Sequence, residues 1–476
     1  MNKSFINTLL IGIIIALSIY LRIDAYLINN SFFTDEVLLF ANIFSLDYLQ
    51  LMKPLNYYQS APYLFLVMSK FVSSNIGITE LCLRFIPLLS SLLSVIVFYR
   101  LAKMIFKTNF ALFIATFTFG INYQLLFYSQ AFKQYSTDVL ILVSFLYYVV
   151  ANYDKLSEIK QFSKLGLLSL AGIYFSFPMI LIVPAVYLAL CILKRNQIIK
   201  VIYSSIYPAL GLLIYYIFNF RFLSHSEYLY SYWQKGFQIF NPEFYKMNFD
   251  FLFSYYSLPI LLVIILSFGI YYLYKKNKFL FLSLFLVIFN TLLAAYLKIY
   301  PCERRLILFL LPILIIIAIY PLDNLQKKFV SYLICVISCI FFLIGYFNFG
   351  KNYICGNVNY LRQDVKPLLD NISKKLPNEN VYVYYGAIST YSYYSMIKDL
   401  PNAYFATYPY DENLSEKFLI NDLKLLSMGT YYLLLVKGTG TYEKDMANLE
   451  SWLKENYEII NVCKLKSAAL FKVVIH

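Results

Sequence analysis

Long apolar runs separated by short polar stretches occupy the chain from its start to about residue 347, where the pattern changes. Runs of a length suited to a bilayer helix lie near residues 5–24, 81–101, 109–128, 136–152, 164–177, 179–194, 201–219, 256–274, 279–297, 306–321 and 329–347. They predict about eleven transmembrane helices. At Ser176-Phe177-Pro178 two short runs meet at a proline, and they read as two spans or as one kinked element. Residues 25–80 are too many for a turn and too apolar for a free loop. Within them, Glu36–Tyr48 and Tyr63–Phe71 carry apolar residues at helical spacing, which predicts interfacial helices roofing a cavity between the spans. After about Asn348 the periods alternate: helix over Asp364–Leu376, strand over Val381–Tyr385, strand over Tyr431–Val436, helix over Tyr442–Asn456 and strand over Ala468–Ile475. The expected architecture is a polytopic α-helical membrane domain over 1–347, first loop 25–80 included, followed by a small extracytoplasmic α/β domain over 348–476.

Composition strengthens the membrane reading: 60% of residues are hydrophobic, 20% aromatic and 14% charged, with a mean hydropathy of +0.63. Alternate loops hold the lysines and arginines: Lys103 and Lys107; Lys155, Lys160 and Lys164; Lys194, Arg195 and Lys200; Lys275, Lys276 and Lys278; Lys327 and Lys328. Short basic loops stay in the cytoplasm, so these loops and the amino terminus face inward, while residues 25–80 and the tail face outward. The first apolar run lacks a small-x-small exit and continues into Leu21-Arg22-Ile23-Asp24, so it reads as a span that is kept. The formal net charge of +14 is then largely a consequence of topology. Nucleic-acid binding would need these charges on one soluble face, and they are dispersed. Seven cysteines form no metal or disulfide framework; Cys355 and Cys463 in the tail read as a pair or as two thiols.

Four polar groups fall on the outer side. Asp35-Glu36 follows the first span, where carboxylates are costly and one of them can serve as a general base; the structural reading has Asp35 capping a helix that begins at Glu36. Ser129–Asp138 is a polar turn between two apolar spans. There Lys133 beside Tyr135 reads as a phosphate grip or as a snorkelling lysine with an interfacial tyrosine, and Asp138 as its partner or a metal ligand. Glu80 and Arg84 are one helical turn apart, as an ion pair or a phosphate contact. Glu303-Arg304-Arg305 runs against the positive-inside trend, as a solvated loop or a further cationic site. One acidic site and several cations round an outer cavity suit transfer from a phosphate-linked lipid: a carboxylate takes a proton from the acceptor hydroxyl, and cations stabilise the departing phosphate.

Arg22, Asp35-Glu36, Gln59-Ser60-Ala61-Pro62-Tyr63 and Gly77–Pro87, in that order, resemble the opening of the family 39 glycosyltransferases of the GT-C superfamily. That family is similar to protein O-mannosyltransferases and to the aminoarabinose transferase of lipid A. The resemblance continues through Tyr128-Ser129, Lys133–Ser136, Ser176-Phe177-Pro178, Tyr232-Trp233, Asn241-Pro242, Glu303-Arg304-Arg305 and Pro312, and so spans most of the membrane region. It implies a GT-C fold and a polyprenyl-phosphate sugar donor used on the outer face of a cell membrane, a bacterial plasma membrane. It also implies an inverting hexosyl or pentosyl transfer to a hydroxyl of a glycan, lipid or protein. By the same resemblance Asp35 is the base with Glu36 in support, and Lys133, Arg84, Tyr135, Arg304 and Arg305 meet the donor phosphate. Many relatives carry an acidic residue two positions before the loop lysine, where this chain has Ala131. A divalent metal ion is therefore an open expectation, with Glu80 or Asp138 as its ligands.

The competing class is a lipid-linked oligosaccharide flippase or polymerase, or another transporter. It would keep charges deep within several spans and has no need of a folded tail, and a secondary transporter would show paired broken helices in matching halves.

Overall fold

The computed structural model describes residues 3–223, 226–253, 259–324, 364–373, 380–407, 421–436, 450–465 and 467–476. The chain divides into two compact units. The first comprises Met1–Ile28, Asn42–Gly77 and Leu81–Ile354; the second comprises Asn29–Ala41, Ile78–Glu80 and Cys355–His476.

Helices α1 (Lys3–Leu27), α2 (Thr34–Ser45), α3 (Tyr63–Asn75), α4 (Glu80–Ile105), α5 (Asn109–Ile121) and α6 (Tyr123–Ser129) open the chain, and the unit boundary falls within α2. α7 (Tyr135–Asn152), α8 (Ile159–Phe175), α9 (Met179–Leu193) and α10 (Ile198–Tyr215) follow. A single turn α11 (Arg221–Leu223), then α12 (Glu227–Tyr232), α13 (Pro242–Phe253), α14 (Pro259–Lys276), α15 (Lys278–Tyr296) and α16 (Leu310–Ile319) complete the first unit's described helices. Among the described residues five helices are long and apolar enough to cross a membrane, or six if the bent pair α5–α6 is one span; Met179–Leu193 and Leu310–Asp323 are shorter apolar helices. The run expected at 329–347 lies outside the described residues. The two segments expected to form helices between the first spans do so, as α2 and α3.

Two expected spans fold differently. The run 109–128 is broken: α5 and α6 meet at a bend of 46°. Asn122 occupies the break, and its side-chain oxygen accepts from Gln124 N (3.0 Å) and Leu125 N (3.2 Å), so it caps α6. Its amide donates to Leu252 O at 2.9 Å, and Tyr123 Oη donates to Phe251 O at 2.8 Å, which fastens the break to the end of α13. On the α5 side, buried Arg22 of α1 donates to Gly120 O (2.7 Å), Ser18 O (3.0 Å) and Ser91 Oγ (2.8 Å). A carbonyl near a helix end in an apolar interior needs such a donor. Gly120 permits the approach, since a Cβ there would lie 2.0 Å from Ser18 Oγ.

At Ser176-Phe177-Pro178 the chain makes two helices packed side by side, which excludes the single kinked element. Ser169 of α8 and Tyr187 of α9 sit hydroxyl to hydroxyl at 3.3 Å, and Tyr187 also meets Ser204 Oγ of α10 at 2.7 Å. In one continuous helix, residues 169 and 187 would be about 27 Å apart. Buried hydroxyls that satisfy one another in this way tie three apolar helices together.

The second unit carries a five-stranded sheet in the order β2-β1-β3-β5-β4: β1 (Asn380–Val383), β2 (Ala403–Phe405), β3 (Gly429–Val436), β4 (Glu458–Lys464) and β5 (Ala468–Ile475). β1 pairs in parallel with β2 and β3, and β5 pairs antiparallel with β3 and β4. Tyr431, Leu433, Leu435, Phe471 and Val473 alternate inward and form one core. Within it the Tyr382 hydroxyl donates to Asp422 Oδ2 at 2.7 Å; burial, reinforced by that carboxylate, pushes the phenol well above its ordinary pKa. The helix expected over 364–376 is present as Lys366–Ser373, and that over 442–456 is described only from residue 450. β2, β4 and the helix Ile388–Ser395 were not expected from the sequence; β2 has only three residues and β4 is half polar. Cys463 is a free thiol, and Cys355 lies outside the described residues.

Segment 29–41 belongs to this second unit and docks on its helices. Phe32 N donates to Tyr394 Oη (3.2 Å), Lys366 N to Ser31 Oγ (3.1 Å), and the Phe32 and Phe40 rings pack on Tyr393.

Candidate active site

The acidic pair lies at the start of α2. The helix begins at Thr34, so the cap position falls on Phe33 and Asp35 sits inside the first turn. Glu36 closes the cap: its Oε2 accepts from Phe33 N at 3.0 Å, while Glu36 N and Val37 N donate to Phe33 O at 2.8 and 3.1 Å. A glutamate at the third helical position reaching back to the cap N–H satisfies an otherwise orphaned donor. The structural task expected of Asp35 is therefore performed by Glu36, which is buried, whereas Asp35 is half-exposed in the positive first turn.

The polar turn before α7 is buried apart from Ala131, which is partly exposed. Lys133, only 7% exposed, donates from Nζ to Gln59 Oε1 at 2.7 Å. A snorkelling lysine carries its ammonium to water, so that reading fails here. Gln59 is presented by a strained turn, Tyr57 and Tyr58 having φ of 59° and 53°, values that non-glycine residues seldom adopt. Asn42 braces the turn from both sides, accepting from Asn56 N (2.7 Å) and donating to Asn56 O (3.1 Å). Gln134 donates to Ser60 O at 3.3 Å, so the 59–60 segment is gripped twice by consecutive residues. Tyr135 stands edge-on to Tyr128 at 5.0 Å, and Asp138 is buried one turn into α7, beside Ser176.

Arg305 reaches this region: its guanidinium lies 5.9 Å from the Tyr135 ring and 5.3 Å from the Trp233 ring. Arg304 has φ 45°, and Asn248 of α13 holds that strained backbone by accepting from Arg304 N (2.9 Å) and donating to Cys302 O (2.9 Å). Tyr300 lies near Asp138, Tyr135 and Cys302; burial chiefly, and Asp138 next, raise its pKa well above the usual, and its hydroxyl donates to Leu306 O at 2.8 Å. Burial likewise raises Glu303 above the carboxylate norm, against the pull of Arg304, Lys235 and Arg305.

Lys133, Tyr135, Asp138 and Arg305 are thus neighbours in the first unit, and Arg84 is buried in the same unit near the start of α4. Asp35, Glu36 and Glu80 belong to the second unit. There the Glu80 carboxylate is engaged by Lys366 Nζ at 3.0 Å and by the Tyr394 hydroxyl at 2.9 Å. Among the described residues no three His, Cys, Asp or Glu side chains gather as a metal-ligand set, and a hard divalent cation would need further oxygens beside Asp138. Sequence reasoning did not identify Gln134, Asn248 or Ser176 as working parts. Each is an uncharged residue among many, and only its partners reveal it.

No protein-family model matches the sequence, and no curated protein matches it. Solved structures do resemble it. ArnT from Cupriavidus metallidurans bound to undecaprenyl phosphate superposes with a TM-score of 0.57 at 11% identity, covering 99% of this chain and 98% of that one. AglB, the archaeal oligosaccharyltransferase from Archaeoglobus fulgidus, in complex with an inhibitory peptide and a dolichol-phosphate, gives 0.54 at 11% identity, covering 98% and 74%. The chain therefore shares the fold of these two proteins.

Proposed function

We propose that this chain is a multi-pass membrane glycosyltransferase that moves a hexosyl or pentosyl group from a polyprenyl-phosphate donor to a hydroxyl of a glycan, lipid or protein. The observation that carries the reading is a lysine buried in the first unit of a chain whose fold resembles that of ArnT, with Arg305 and Arg84 in the same unit. A lysine and two arginines in one unit can meet a lipid phosphate with charge-assisted hydrogen bonds. ArnT, which this chain resembles over nearly its full length, binds undecaprenyl phosphate, the kind of anion these residues suit. In this reading Lys133, Arg84, Tyr135, Arg304 and Arg305 stabilise the donor and departing phosphate, and Asp35 takes the proton of the acceptor hydroxyl. Glu36 keeps Asp35 in position by closing the cap of the same helix. A divalent ion, if the reaction uses one, would be held at Asp138 and would add positive charge at the phosphate.

The amino terminus is placed in the cytoplasm and the tail outside, at a bacterial plasma membrane, on the distribution of basic loops. Reporter fusions after Lys328 and after His476 should fall in opposite compartments; the same compartment for both would refute the orientation. The activity itself is tested with purified protein and a panel of undecaprenyl-phosphate monosaccharides. Release of undecaprenyl phosphate with sugar transferred to an acceptor is expected, and movement of the lipid across a bilayer without chemistry would sustain the flippase class instead.

A further inference from the structure

Segment 29–41, which carries Asp35, is held within the second unit by residues far along the chain, and one hydroxyl stands at the centre of that hold. Tyr394 Oη donates its single proton to Glu80 Oε1 at 2.9 Å and accepts from Phe32 N at 3.2 Å. Lys366 Nζ meets the same Glu80 oxygen at 3.0 Å and donates to Asn29 O at 3.4 Å, while Lys366 N donates to Ser31 Oγ at 3.1 Å. Tyr393 Oη donates to Ile78 O at 2.8 Å, and its ring packs on Phe32 at 4.9 Å and on Phe40 of α2 at 5.1 Å. Phe32, Phe40, Glu80, Tyr393 and Tyr394 are all buried.

A helix of 12 residues such as α2 is marginal by itself, so tertiary contacts decide where it starts and how it points. Tyr394 anchors Phe32 N, at the residue before the Phe33 cap, and Glu36 closes the cap itself, so the entry to α2 is fixed where Asp35 enters its first turn. Upstream, Asn29 has φ 48°, and Lys366 holds the carbonyl of that strained residue. A general base must lie within hydrogen-bond reach of the proton it takes, and a displacement of about 1 Å can cost about a hundredfold in rate. We infer that Tyr394, braced by Glu80 and Lys366, is a positioning residue for Asp35, a role that rests on the reading of Asp35 as the base of a polyprenyl-phosphate-dependent glycosyltransferase. The tail then governs the base without touching the reacting atoms, and the Glu80 carboxylate serves the clamp.

The test compares full-length wild type, Tyr394→Phe and Tyr391→Phe in nanodiscs. Tyr394→Phe keeps the ring and deletes the bonds to Phe32 and Glu80. Tyr391 is the matched control: it is buried on the same helix, and its hydroxyl donates to Pro401 O at 2.5 Å, outside segment 29–41. Hydrogen–deuterium exchange over residues 29–41 should quicken by about tenfold in Tyr394→Phe and stay at the wild-type rate in Tyr391→Phe. Unchanged exchange in Tyr394→Phe overturns the hold. With the undecaprenyl-phosphate monosaccharide that the wild type uses fastest, Tyr394→Phe should lower turnover by about tenfold to a hundredfold. The apparent Michaelis constant for the donor should not move, since the residues assigned to its phosphate belong to the first unit. In an Asp35→Asn background the same substitution should cost little more, as expected when one group acts through another. A full second loss there, normal turnover in Tyr394→Phe, or an equal loss in Tyr391→Phe overturns the positioning role alone. Absence of turnover in the wild type with every donor brings down the functional reading and the positioning role together, so the two failures are told apart by the unaltered protein.

Discussion

The starts of α2 and α7 both crowd polar side chains into two turns of helix, and they use them in opposite ways. At α2 the glutamate of an acidic pair is spent on the helix itself, accepting from Phe33 N. At α7 the polar side chains reach to other segments instead: Gln134 donates to Ser60 O at 3.3 Å, Ser136 Oγ to Tyr128 O at 2.8 Å, Thr137 meets Ser90 at 3.0 Å, and Asp138 lies beside Ser176. The difference separates a polar group that closes its own helix from polar groups that join a helix to its neighbours. It also separates two carboxylates adjacent in sequence: Glu36 closes the cap, and Asp35 is the residue proposed as the base.

The largest effect expected from this contrast is at Asp35. Asp35→Asn should lower turnover by about a hundredfold to ten-thousandfold, the usual cost of losing a general base, with little change in melting temperature. Near-normal turnover of the folded variant would pass the role to Glu36 and erase the distinction between the two.

A smaller loss is expected at Asn248, which touches neither lipid nor sugar in this account and acts through Arg304. Asn248→Ala removes the acceptor that holds a strained backbone, so the apparent Michaelis constant for the donor should rise by about tenfold while turnover falls less. Equal losses in both parameters, or a loss explained by unfolding alone, would deny it a positioning role.

The smallest effect should come from the cap. Glu36→Ala is expected to cost about 0.5–2 kcal/mol of stability, read as a lower melting temperature, while the folded fraction keeps most of its turnover. Abolished turnover in fully folded protein would show that Glu36 takes part in the chemistry.

Much of this fold is legible in the sequence because apolar period and length report directly on burial. Helices α2 and α3 and strands β1, β3 and β5 lie close to where patterning puts them along the chain. What patterning does not reveal is partnership. Asn122 sits inside an apolar run, and only its bonds to Gln124, Leu125 and Leu252 turn that run into two helices. The docking of residues 29–41 on Tyr393, Tyr394 and Lys366 joins segments more than three hundred positions apart, which local periodicity cannot report. At the candidate site the charged residues were visible by type, since charge in an apolar chain stands out. Gln59, Gln134 and Ser176 have no such signature, and their importance appears only when hydrogen bonds are traced.

The central claim is that the buried cation at Lys133 exists for a lipid phosphate, and its most direct test is binding of bare undecaprenyl phosphate. Full-length wild-type protein and Lys133→Gln, which leaves a side chain still able to donate to Gln59, are compared in nanodiscs at matched salt. The account predicts about a tenfold or greater weakening in the variant, since a charge-assisted contact to the phosphate is lost while the fold is kept. Equal affinity in the two proteins would make Lys133 a structural donor to Gln59 and contradict the claim.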